Sequence, residues 1–196
     1  VFNESMFVIG WINSQTITHR GRFAVYSANG TVITSVTTFD SNIGIGSFPG
    51  NARVGVSTFN DTTFALAYFD QNSINITALI YDFVGNLQAG VTVDDDVSFT
   101  TVADSVSVST FNSTAFVVGW YDGQDNDASF KILDAGGNNL TGIIDVDTDV
   151  GTSRSVSVSA LNETAFAIGW YDDTDGDSTF AIYDSNGGNL VSAIDA

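Results

Sequence analysis

The chain has 196 residues, with 23 Asp plus Glu against 5 Lys plus Arg, a formal net charge of −18 and no cysteine. Such a balance excludes a nucleic-acid ligand, because phosphate binding needs clustered Lys and Arg to displace counterions, and the absence of cysteine excludes disulfides and thiolate metal sites. Its 43% hydrophobic content is enough for a substantial core, but no run of about 18 apolar residues is present to cross a membrane as a helix.

In chain order, the first predicted strand covers residues 5–12 and lies within the phrase Phe2-Asn3-Glu4-Ser5-Met6-Phe7-Val8-Ile9-Gly10-Trp11. This phrase returns three times. Its asparagines, Asn3, Asn60, Asn112 and Asn162, are 57, 52 and 50 residues apart, and an aromatic follows eight residues after each, at Trp11, Tyr68, Trp120 and Trp170. A repeat of about 50 residues rich in strand signals predicts a propeller or another stacked-sheet array. The chain opens inside a repeat, with neither an initiator Met nor a basic-then-apolar leader, and so reads as a mature or excerpted portion of a longer precursor.

Strands are expected next at residues 22–26 and 31–39. The only histidine, His19, lies before them in a polar stretch that the other copies lack, and is expected to be an exposed loop residue. The connection from Asp40 to Gly50 carries the only proline and several glycines, which predicts a surface loop.

The second copy predicts strands at residues 53–58, 62–69, 74–81 and 87–93. In the third, Ser105-Val106-Ser107-Val108-Ser109 alternates with period two, and residues 114–121 form an almost continuous apolar run, as a strand covered on both sides should. An acidic loop, a strand at 129–133, a glycine-bearing turn and a strand at 139–146 complete it; the fourth copy repeats the plan at 155–159, 164–171, 178–183 and 189–194. Four short antiparallel strands per repeat make a propeller blade. The expected fold is therefore all-β, a single repeat domain over 1–196 with blades at about 1–52, 53–104, 105–154 and 155–196, the first lacking its innermost strand. A strand from a longer polypeptide or from another copy would complete that blade, whose open edge otherwise invites association.

Seven Asn-x-Ser/Thr sequences, at Asn3, Asn29, Asn60, Asn75, Asn112, Asn139 and Asn162, are candidate N-glycosylation sites. For the four in the recurring phrase, plain turn chemistry is the competing explanation, since Asn tolerates left-handed turns. The alternating carboxylates Asp173, Asp175 and Asp177, with Asp125 and Asp127 in the equivalent hairpin, are candidate Ca²⁺ ligands, because hard oxygens at every second position of a tight loop can converge on that ion. Looser candidates are Asp94-Asp95-Asp96 and the Asp145, Asp147, Asp149 series. Most acidic residues are Asp, which favours turns, so the charge is expected at solvated loop tips. Catalysis finds little support: a His-dependent nucleophile would have to be built around His19, and no phosphate-cradling glycine loop opens a helix. Paired Asp residues leave a glycosidase as a further reading. No cofactor is required.

The residues 116–122, 130–138, 155–159, 166–172 and 180–187 resemble the roughly 50-residue propeller-type repeats of large secreted and surface-anchored proteins of bacteria and archaea. That resemblance implies an extracellular, non-enzymatic structural or adhesive role, as in a surface layer, sheath or filament, with further blades or other copies as partners. A carbohydrate- or ligand-binding propeller is the alternative.

Overall fold

A computed structural model describes residues 6–15, 18–44, 54–60, 62–97, 105–147 and 153–195. They form fifteen strands in four antiparallel sheets. The first sheet holds β1 (Met6–Gln15), β2 (Thr18–Ser27) and β3 (Val32–Asp40); the second holds β4 (Val54–Thr58), β5 (Thr63–Asp70), β6 (Asn75–Asp82) and β7 (Leu87–Asp94). The third is built from β8 (Val106–Thr110), β9 (Ala115–Asp122), β10 (Asp127–Asp134) and β11 (Ile144–Asp145), and the fourth from β12 (Ser153–Asn162), β13 (Ala165–Asp172), β14 (Asp177–Asp184) and β15 (Asn189–Asp195). Strands pair in chain order within each sheet, and among the described residues the first sheet has no counterpart of β4, β8 and β12, as its sequence predicts. No helix among the described residues is long and apolar enough to cross a membrane.

Period-two alternation sets which face each side chain covers. In β5, Phe64, Leu66 and Tyr68 turn toward the first sheet, while Ala65 and Ala67 turn toward the third. The same division puts Phe116, Val118 and Trp120 against the second sheet, and Phe166, Ile168 and Trp170 against the third. Each junction between consecutive sheets thus has its own apolar cluster, and β9 is buried along its whole length.

The hairpins follow from local chemistry. Between the third and outer strands, Asp82 Oδ1 accepts the backbone N–H of Asn86 at 2.8 Å, and Asp134 Oδ1 does the same for Asn138 at 2.8 Å. Glycine holds the left-handed position of these turns at Gly85, Gly137 and Gly187, with φ of 93°, 84° and 84°. In the hairpins between second and third strands, that conformation falls on Ile74, Asn126 and Gly176, with φ of 56°, 64° and 78°.

Three expectations need correction. The strand predicted over 139–146 shrinks to Ile144–Asp145 plus one bridge at Asn139, because Leu140 and Thr141 both turn their N–H groups to the Ile132 carbonyl, at 2.9 and 3.3 Å, and Ile132 N–H bonds the Thr141 hydroxyl at 3.0 Å instead of a carbonyl. His19 is not an exposed loop residue: it lies in β2, is 9% exposed, and its Nδ1 is 2.8 Å from the Gly44 carbonyl. The connection after Asp40 begins as a docked segment, with Ile43 1% exposed and its backbone bonded to His19 and Gln71; its residues 45–50 lie outside the described ones.

Candidate functional site

The carboxylates gather where outer strands end. In Val93-Asp94-Asp95-Asp96-Val97 the two valines are buried anchors, and they draw Asp94 inside with them to 3% exposure. Trp120 of the third sheet donates its Nε1–H to Asp94 Oδ2 at 3.0 Å, and Asp96 N–H reaches Asp94 Oδ1 at 3.3 Å. The buried Lys131 ammonium beside them donates to the Val93 carbonyl at 2.8 Å. Ligand oxygens of Asp94, Asp95 and Asp96 lie within 4.8 Å of one another, the one such acidic group among the described residues.

Burial pushes the Asp94 carboxyl up to about 6, with the charges of Asp122 and Asp96 acting the same way. Burial likewise raises Asp122, whose Oδ1 accepts the Gln124 N–H at 2.8 Å. Asp127 is pushed up to about 6, again first by burial and then by the charges of Asp145, Asp147, Asp125 and Asp122. Carboxylates confined this way are hard oxygen donors, the set that suits Ca²⁺. Of the acidic side chains described, Asp94, Asp95 and Asp96 are the ones close enough together that they could hold such an ion.

The hairpin ligands expected from sequence are placed differently. Asp173, Asp175 and Asp177 lie in the β13–β14 hairpin, and Asp125 and Asp127 in the β9–β10 hairpin; neither set brings three ligand atoms within 4.8 Å. The hairpins instead use their opening carboxylate internally: Asp172 Oδ1 accepts Thr174 N–H at 2.7 Å, as Asp122 does for Gln124. The expectation of uniformly solvated Asp also fails, since Asp94, Asp122, Asp147 and Asp172 are all buried.

The sequons occupy turns. Asn60, Asn112 and Asn162 each accept, through Oδ1, the backbone N–H of the Thr two residues on, at 2.8 Å in all three, together with that Thr hydroxyl. Asn29 makes the same pair of bonds with Thr31, and Asn75 accepts the Thr77 hydroxyl at 3.0 Å. Asn29, Asn139 and Asn162 are exposed, while Asn60, Asn75 and Asn112 are half-buried. Asn3 and Asp149 lie outside the described residues.

One device escaped the sequence reading. Asp40 at the end of β3 accepts the Tyr68 hydroxyl at 3.0 Å, the counterpart of the Asp94–Trp120 bond one junction later. At these two junctions an outer-strand carboxylate fastens the phrase aromatic of the next sheet, whereas at the third the buried Trp170 Nε1–H has no partner among the described residues. The signal available for the Asp94 bond was the pattern Val-Asp-x-Asp-Val at 93–97.

No family model matches the sequence, and no curated protein matches it. Among solved structures, an α-L-arabinanase of Penicillium chrysogenum complexed with arabinobiose superposes with a TM-score of 0.54 at 11% identity, over 97% of this chain and 60% of that one. The Dos1 propeller superposes with a TM-score of 0.50 at 11% identity, over 92% of this chain and 44% of that one. The chain thus spans about half the length of the structures it matches. At that identity the likeness concerns the fold alone, and the fold is that of β-propeller blades.

Proposed function

We propose that the chain is a non-catalytic propeller module of a secreted or cell-surface glycoprotein, structural or adhesive in its work, as in a surface layer, sheath or filament of an archaeon or other microbe. The observation that carries this reading is the placement of the sequons: Asn29, Asn139 and Asn162 are exposed, so a glycan there clears the packed sheets. The repeated aromatic and polar side chains agree with it, because they fasten sheet to sheet: Asp40 to Tyr68, Asp94 to Trp120 and Ser109 to Ala160. Residue types engaged in holding an array together are those expected of a scaffold. Glycopeptide mapping of material from the native source tests it. Hexose-containing mass on Asn29, Asn139 or Asn162 is expected; bare asparagine at all seven sequons would overturn the glycoprotein reading.

A carbohydrate- or ligand-binding module is the second reading. It is favoured by a cavity of about 400 Å³ at the ends of the inner strands, lined by Ser57, Thr58, Ser109, Thr110 and Glu163 among others. Glycan-array binding lost in Glu163→Gln would bring it forward.

A further inference from the structure

Three complementary contacts recur between consecutive sheets. A valine of the following inner strand fills a notch over a glycine of the preceding sheet: a Cβ on Gly10 would stand 2.7 Å from Val56 Cγ1, and one on Gly119 would stand 2.6 Å from Val158 Cγ1. Serine hydroxyls of the preceding inner strand accept backbone N–H groups of the following one. Ser105, Ser107 and Ser109 accept from Val156, Val158 and Ala160, the last two at 3.1 and 2.9 Å, and Ser57 accepts from Thr110 at 3.1 Å. Finally, a phenylalanine of the preceding third strand sits on a stacked pair: Phe23 on Phe64 and Tyr81, Phe130 on Phe166 and Tyr183.

The outward face of the fourth sheet carries the preceding half of all three contacts. Ser157 and Ser159, in register with Ser107 and Ser109, are exposed, as is Ser155 at the bulge between Arg154 and Ser157. A Cβ on Gly169, the counterpart of Gly119, would meet only its own sheet, with Thr179 O at 3.6 Å and Phe180 Cβ at 3.9 Å. Phe180, the counterpart of Phe130, is half-buried. These residues line a groove of about 460 Å³.

We infer that this groove accepts one extended segment alternating valine and serine, the inner-strand sequence of this same repeat as in Val106-Ser107-Val108-Ser109. Its N–H groups bond the Ser157 and Ser159 hydroxyls and one valine enters the notch at Gly169. The inference deepens the assembly part of the scaffold reading and rests on it for the source of the strand.

The test fuses the sequence of residues 105–110 behind residue 196 through a flexible Gly-Ser linker, which sets its local concentration in the millimolar range. The fused chain is expected to melt at a higher temperature than the unfused one, with a change in Trp170 emission. Both effects should vanish in Gly169→Val, which fills the notch without a clash. The free peptide should bind the unfused chain and bind Gly169→Val at least about tenfold more weakly; the exposed Ser157→Ala provides a second variant whose folding is not in question. An unchanged melting temperature on fusion would overturn the inference. So would stabilisation that survives Gly169→Val and Ser157→Ala, which would place the strand on the open edge of β1. Self-association of the unfused chain that Gly169→Val abolishes, with no peptide binding, would overturn it too, and would seat there the first sheet of a second copy, where Phe7 and Tyr26 stack with ring centroids 5.5 Å apart. Bare sequons on native material would refute the surface reading and leave this result standing.

Discussion

Ile74 holds a conformation that its neighbours in the repeat assign to better-suited residues. A β-branched residue in the left-handed region costs roughly 1–2 kcal/mol, a strain that Asn and Gly escape. Asn126 and Gly176 occupy the equivalent hairpin position, and Ile74 is 42% exposed, so little packing opposes its replacement. Ile74→Asn is expected to stabilise the fold by about 1 kcal/mol, or roughly 2–4 °C in melting temperature; an unchanged or lower melting point would show that the side chain is held by packing. The buried Asp94 and the half-buried Asp127 make a second prediction. Asp94 and Asp127 titrate at about 6 when folded, against an ordinary value near 4, so between those pH values the folded chain binds protons that the unfolded chain has released. The stability this confers is full below about pH 4 and is lost as pH rises through 6. Melting followed by circular dichroism should therefore run higher at pH 5 than at pH 8 in low salt, with the difference reduced in Asp127→Asn; a flat profile would contradict the burial of these groups. None of this was legible in the sequence. Asp reads as a turn residue, and only the buried valines on either side of the acidic run decide that Asp94 goes inward.

At the scale of the strand, the second member of each sheet is the part most plainly written in the residues. A run such as Phe116-Val117-Val118-Gly119-Trp120 can only be buried on both faces, and β9 is. Its two substitutions have different mechanisms. Phe116→Ala empties a core site in contact with Phe59 at 5.2 Å between ring centroids and should destabilise by about 3–5 kcal/mol. Gly119→Val overfills the junction, because Val158 already occupies the space, and should destabilise by about 1–3 kcal/mol. Urea unfolding of both variants checks these values, and Gly169→Val is the control, since the same change there meets an open groove. The outer strands were less legible. Their turns are equal in length, and it is a side chain that decides: the Thr141 hydroxyl takes the Ile132 N–H, and most of a ladder gives way to a single bridge. The first sheet was under-read for a similar reason: the polar stretch around His19 resembles a loop, yet its alternate residues Phe23 and Val25 belong to the core, which extends β2 back through His19.

For the molecule as a whole, periodicity carried the inference. Four copies of one phrase imply four sheets, and the described residues form four, the first with three strands. What no copy displays by itself is the complementarity between copies, because the Ser-Val-Ser alternation looks like any half-buried strand until its hydroxyls are seen to accept N–H groups of the next sheet. The three apolar clusters each bridge one pair of consecutive sheets. Coupling of that kind is nearest-neighbour coupling, in which stability is a sum over junctions. Damage to one sheet is then a local event: the junctions on its two faces lose their share, while the sheets beyond keep the contacts they make with each other.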